Sequence, residues 1–165
     1  MKLVLTVVVA CFFVGDASGC LRVRVGCACP HFMSLLYRDN VVEFTQHEGC
    51  SATVTCFYTR GIQLAAHWNE TQIPMIAAAN PNFQLYANPF DSWNVQPGAP
   101  VELFSYFGII CENRSWYLTK YPKGIFYRGI KEGYEVPTGY KAEYQGLKSK
   151  LWYFLCFPEA GPGPW

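Results

Sequence analysis

Histidine and aspartate are scarce in this chain: His31, His47, His67 and Asp16, Asp39, Asp91 are the only ones among 165 residues. The usual proton carriers of hydrolytic sites are therefore few, and those present fall into no catalytic pattern. There is no Gly-x-Ser-x-Gly turn to expose a nucleophilic serine. His47-Glu48 lacks the second histidine of a zinc-protease helix, and no glycine-rich loop cradles a phosphate. A triad of Ser105, His67 and Asp91 can be composed on paper, but any chain of this length offers such triples. Glu132 and Glu135 are the only close acid pair in an aromatic setting, and they read as exposed loop acids rather than as the two carboxylates of a glycosidase. We expect no enzyme, no cofactor and no metal centre.

Charge is sparse as well, at 15% of residues with a net charge of +1. No basic cluster marks a nucleic-acid or anionic-membrane partner. Lys141, Lys148 and Lys150, interleaved with Glu143, read as a solvated face. No apolar run approaches the roughly 18 to 20 residues that span a bilayer, so no transmembrane segment is expected. Internal repeats and heptads are missing too.

What is present begins with a leader. One lysine, an apolar run over residues 3–14 and the small residues Ala17, Ser18 and Gly19 predict a secretory signal peptide over residues 1–19. Its removal takes Lys2 and Asp16 and leaves twelve basic and eleven acidic residues in a chain sized for one core. It also leaves seven cysteines, Cys20, Cys27, Cys29, Cys50, Cys56, Cys111 and Cys156. In an oxidising compartment these read as disulfide halves. Seven is odd, so one is free or joins a second chain in a disulfide-linked homodimer. Cys27-Ala28-Cys29-Pro30-His31 could in principle hold a soft metal, but the compartment favours disulfides.

The periodicity is that of strands. Over residues 52–58 Ala52, Val54, Cys56 and Tyr58 alternate with Thr53, Thr55 and Phe57, predicting a half-buried strand. Residues 41–45 predict a shorter one. Residues 100–125 predict a hairpin, its first strand alternating from Val101 to Ile110 and its second starting at Trp116, with the polar Glu112-Asn113-Arg114-Ser115 between. From Gly61 to Pro100 the periodicity fades, and prolines about every seven residues from Pro74 onward predict short edge strands and loops, with one helical turn near residues 75–79. Residues 151–157, LWYFLCF, predict a central strand buried on both faces. The expected organisation is a leader (1–19), a cysteine-rich strip (20–48) forming an edge strand or arm, a β-rich domain (49–158) and a disordered tail (159–165). The fold class is all-β, a small disulfide-stapled sandwich or barrel with long loops.

Cys56, Trp68 and Cys111 mimic the spacing of an immunoglobulin-like sandwich, which suggests a Cys56–Cys111 bridge. Ile109 stands where that fold often has tyrosine and 54 residues follow Cys111, so another sandwich topology is favoured. Asn69-Glu70-Thr71 and Asn113-Arg114-Ser115 are N-glycosylation sequons. Aromatics make up 17% of the chain. Among them Tyr127, Tyr134, Tyr140 and Tyr144 are candidates for binding a protein or glycan, because rigid rings offer contact area at little entropic cost. The competing reading is that most are core or cross-strand pairs.

Thr53-Val54-Thr55-Cys56, Cys111-Glu112-Asn113-Arg114-Ser115-Trp116-Tyr117 and Tyr121-Pro122-Lys123-Gly124-Ile125 together resemble a family. It is the nematode-expanded set of secreted, cysteine-containing domains of unknown function, and the resemblance covers residues 49–158. It implies a location and a fold, and carries no mechanism. The expectation is a secreted extracellular glycoprotein that binds an extracellular protein or glycan. A small secreted hydrolase and a structural or defensive disulfide-linked dimer are the alternatives.

Overall fold

A computed structural model describes residues 26–37, 42–56, 59–87, 89, 100–131 and 133–158. The expected leader, Cys20, Asp39, Asp91, Glu132 and the tail lie outside the described residues. The protein is all-β. Its strands are β1 (Val42–Gln46), β2 (Ala52–Cys56), β3 (Thr59–Ala66), β4 (Leu85–Ala87), β5 (Val101–Glu102), β6 (Ile110–Glu112), β7 (Ser115–Leu118), β8 (Ile125–Arg128), β9 (Glu135–Pro137), β10 (Ser149–Lys150) and β11 (Tyr153–Pro158). One short helix, α1 (Leu103–Phe107), follows β5. The strands form three antiparallel sheets, ordered β1-β2-β5, β10-β7-β6 and β11-β3-β4-β8-β9.

The strongest alternation behaves as expected: in β2, Ala52, Val54 and Cys56 are buried while Thr53 and Thr55 are half-exposed. The tip of the predicted hairpin also stands where the polar run places it. Asn113 and Arg114 both take positive φ, 49° and 61°, and Glu112 pairs with Ser115 across them. Two left-handed residues twist the chain as a two-residue hairpin loop requires.

The first arm of that hairpin differs from expectation. Only Val101 and Glu102 are strand, and Leu103–Phe107 is helical. The Glu102 carboxylate caps this helix, accepting from Phe104 N at 3.0 Å and Ser105 N at 2.7 Å, and it also accepts from β2 at Val54 N, 3.1 Å away. Gly108 ends the helix in the left-handed region. Leu103 and Phe107, both fully buried, are four residues apart, so the apolar pattern that suited a strand suits one helix face equally.

Two further expectations need correcting. Residues 61–66 belong to the second strand of the largest sheet, where Ile62, Leu64, Ala65 and Ala66 are wholly buried. Glycine and alanine carry low strand propensity, and tertiary packing overrides it. Conversely, β11 is buried on both faces at Phe154, Leu155 and Cys156 but lies at the end of its sheet rather than at its centre. Its burial comes from residues 26–37, which touch it through a Leu36–Phe154 bridge and a hydrogen bond from Tyr37 N to Phe154 O of 2.9 Å. The expected helical turn at 75–79 is a turn closed by Ala79 N donating to Ile76 O at 2.8 Å.

The N-terminal strip is part of the core rather than an arm. Phe32, 1% exposed, packs on Phe104 of α1 at 4.8 Å, Trp116 of β7 at 5.3 Å and Phe154 of β11 at 4.9 Å between ring centroids. One ring thus joins the helix to two sheets. Trp116 Nε1 donates to Pro30 O at 2.9 Å, satisfying the indole where it is buried.

The disulfides are Cys27–Cys50, Cys29–Cys111 and Cys56–Cys156. The expected Cys56–Cys111 bridge does not form. Cys56 sits on β2 opposite Val101 and Val42, whereas Cys111 is in another sheet opposite Trp116. Each sulfur finds the partner that its own inner face meets. Cys111 meets the strip below Trp116, and Cys56 meets β11.

Candidate functional site

The outer face of the five-stranded sheet carries a row of aromatics set by register. Tyr153 of β11 lies opposite Ala65 of β3, Ala65 opposite Tyr86 of β4, and Tyr86 opposite Phe126 of β8. Ala65 is completely buried between two tyrosines that are each half-exposed. A small residue in the middle strand lets the flanking rings lean together, and their hydroxyls meet. Tyr153 donates to Tyr86, and Tyr86 donates onward to Gln84 Oε1 at 3.2 Å. The relay ends on a neutral acceptor.

The row widens at the β11 end. Tyr37 packs on Tyr153 with centroids 5.2 Å apart, and Trp152 packs on Tyr153 at 5.1 Å. His67, just past β3, lies against Trp152 at 4.4 Å. Tyr37 is 50% and Trp152 48% exposed. Burial, followed by the adjacent Tyr86 hydroxyl, pushes the Tyr153 pKa well above its usual value. Burial likewise raises that of Tyr86. Both phenols therefore stay protonated at physiological pH, with their protons held in the relay and their oxygens open as acceptors. The arrangement offers flat apolar rings edged by hydroxyls, an amide and an imidazole.

The tyrosines singled out by sequence are not gathered here. Tyr127 and Tyr144 are buried, at 9% and 7% exposure, while Tyr134 and Tyr140 are exposed on either side of β9. The aromatic row was missed because alternation shows which residues share a strand face but not which strands become neighbours. A period-2 reading of residues 153–156 separates Tyr153 from Phe154, but the solvent side is set only once β3 is docked, and Trp152 stands just before the strand, outside that period.

A second surface is polar. On the outer face of the β10-β7-β6 sheet, Tyr117 pairs with Lys150 on one side and Ile110 on the other. Lys148 forms an ion pair with Glu112, and Lys150 with Glu70. Glu70 holds the Lys150 pKa above its ordinary value. Asn69, Glu70, Thr71, Gln72, Glu112, Tyr117 and Lys148 line an open cleft of about 280 Å³. Both sequon asparagines, Asn69 and Asn113, are exposed.

For the remaining candidates, the Sγ atoms of Cys27, Cys29 and Cys111 lie within 4.8 Å of one another. All three are in disulfides, so none offers a thiolate to a metal. His31 packs on Phe44, and His47 Nε2 lies 2.7 Å from Thr53 Oγ1. Ser105 is in the capped turn of α1 and His67 is stacked on Trp152. Among the described residues no helix is long and apolar enough to cross a membrane, and three disulfides fit an extracellular compartment.

Residues 25–156 match the family described as TRA-1 regulated protein R03H10.4. No curated protein and no solved structure matches the chain. With most of its length matched, the chain belongs to that family, a nematode-specific one without an established activity.

Proposed function

We propose that the protein is a secreted, N-glycosylated, non-enzymatic binding module that holds a neutral glycan on the aromatic row of its five-stranded sheet. The observation that carries this reading is the half-exposed strip of Tyr37, Trp152, Tyr153 and Tyr86, with its hydroxyl relay ending on Gln84. Ring faces bury the apolar face of a pyranose, and hydroxyl, amide and imidazole edges pair with its hydroxyls. The hydroxyl and amide edges are neutral donors and acceptors, and the charges that act on Tyr86 are of opposite sign, Glu135 and Arg128. A polyanionic glycan would find no net positive field there.

Calorimetric titration of the secreted protein with neutral and with sulfated oligosaccharides tests the reading. Neutral sugars bind, and Trp152→Ala and Tyr153→Ala each weaken them about tenfold, equivalent to about 1.4 kcal/mol. If no neutral sugar binds, or both variants bind like the unaltered protein, the glycan reading is wrong. Secretion and glycosylation are checked by recovery from culture medium and by a mass loss on treatment with peptide N-glycosidase.

One observation favours a second reading. Six cysteines pair within the chain, so once the leader is cleaved Cys20 is the one left over, available to join two copies. A dimer on non-reducing electrophoresis that disappears in Cys20→Ser would support a covalently linked structural or defensive role.

A further inference from the structure

The polar cleft on the three-stranded sheet has a lining residue that is itself a sequon asparagine. Asn69 stands in the 3-10 turn Trp68–Glu70, at the rim. Tyr117, half-exposed, contributes a ring to the same cleft, and Glu112, Lys148 and Gln72 supply polar walls. Gln72 accepts from Lys148 N at 2.9 Å through Oε1, and its side-chain nitrogen has no partner among the described residues. Asn69 likewise spends neither end of its amide on a hydrogen bond among them. At about 280 Å³ the cleft falls just below the usual size of ligand pockets, which run from about 300 to 1,000 Å³. That is room for a single sugar ring rather than a chain.

Asn113 differs. It occupies the tip of the β6–β7 turn at φ 49°, exposed, and does not line the cleft. Two acceptors of the same chemistry thus have different surroundings, one beside a ring and polar walls, the other at the end of a hairpin.

We infer that the cleft is the seat of the first N-acetylhexosamine of the chain's own Asn69 glycan. The inference rests on the glycosylation part of the function proposed above. Attachment needs a lipid-diphosphate-linked oligosaccharide from the secretory membrane. The Asn69 amide nitrogen bonds to the sugar's C1, the C1–O bond to the diphosphate breaks, and the amide loses one proton as the lipid diphosphate leaves. The ring then packs on Tyr117, and its acetamido and hydroxyl groups meet Gln72, Glu112 and Lys148. The Asn113 glycan stays free in solvent.

The test is the rate at which peptide N-glycosidase releases each glycan from the folded, full-length secreted protein. Release converts the asparagine to aspartate, which peptide mass spectrometry reads site by site. Asn113 is released at least about ten times faster than Asn69, the two rates converge in denatured protein, and Tyr117→Ala raises the Asn69 rate several-fold. Gln72→Ala, at an exposed position, gives the same direction without touching the core. Equal rates in the folded protein, a slow Asn69 that stays slow after denaturation, or variants that change nothing would overturn the seat while leaving glycosylation intact. An Asn69 that carries no glycan would overturn both.

Discussion

Two solvent faces of this protein are built alike and finished differently. Each is the outer side of an antiparallel sheet whose inner side feeds the core around Phe32. The five-stranded sheet exposes Tyr37, Trp152, Tyr153 and Tyr86. The three-stranded sheet exposes ion pairs, Lys148 with Glu112 and Lys150 with Glu70, and has a sequon asparagine at two of its margins. On the polar face the charges are paired, Lys148 just before β10 with Glu112 of β6, and Lys150 of β10 with Glu70 of the 3-10 turn. The aromatic face is different, because a contiguous row of half-exposed rings leaves an apolar surface to be covered. The contrast directs the search for a ligand to the aromatic face and the search for glycans to the polar one.

The largest effect should come from the bridge that fastens the aromatic face. Cys56–Cys156 ties β11 to β2 across 100 residues, a closure that loop entropy values at up to about 4.7 kcal/mol. The double variant Cys56→Ser, Cys156→Ser should lose several kcal/mol in denaturant titration. Hydrogen exchange should rise first in β11 and β3, with β6 and β7 retaining protection through Cys29–Cys111. Uniform loss of protection would show that the two faces are not separately held.

Tyr121 offers the next test, on the other face. It is wholly buried, and its hydroxyl donates to Ser149 Oγ at 2.6 Å beneath β10, which in turn lies 2.6 Å from Thr71 Oγ1. Tyr121→Phe should cost about 1–3 kcal/mol by removing a buried hydrogen bond to Ser149. The aromatic row should bind as before. A loss of sugar affinity in this variant would mean that the faces are coupled.

Acid should act through α1. Burial alone would raise the Glu102 pKa, but hydrogen bonds from Ser105, Val54 and Phe104 outweigh it and hold it below the ordinary 4.5. A depressed folded pKa contributes stability that is complete above the ordinary value and is lost as pH falls through the lowered one. Glu102→Gln should therefore flatten the fall in melting temperature below about pH 4.5 and cost about 0.5–2 kcal/mol at neutral pH, as other helix caps do. An unchanged acid limb would remove Glu102 from that role.

The smallest effect belongs to the surface ions. Lys148→Ala should change stability by less than about 1 kcal/mol, and Lys150→Ala should leave the melting curve almost unmoved, measured by thermal melting at low and high salt. A larger change would mean that the polar face is structural after all.

Much of this was legible before any coordinates. The β class, the buried alternation of β2 and the turn at Asn113-Arg114 follow from local rules. Strand period and turn chemistry each act over a few residues. Leu103 and Phe107 show the limit of such rules, because a spacing of four satisfies helix and strand together. Glu102 decided between them by reaching three backbone amides, one of them on β2.

The amino-acid sequence alone determined that the chain would be β-rich and equipped with cysteines for bridging, because alternation and composition are properties of neighbours along the chain. Tertiary structure decided which cysteines meet, which tyrosines face water and which strand ends a sheet. Those outcomes depend on distant residues, 23 to 100 positions apart for the bridged cysteines, arriving on the same inner face, and no local pattern encodes that. Phe32 illustrates the difference. It is an unremarkable residue in an N-terminal strip, and it becomes central only when Phe104, Trp116 and Phe154 close around it.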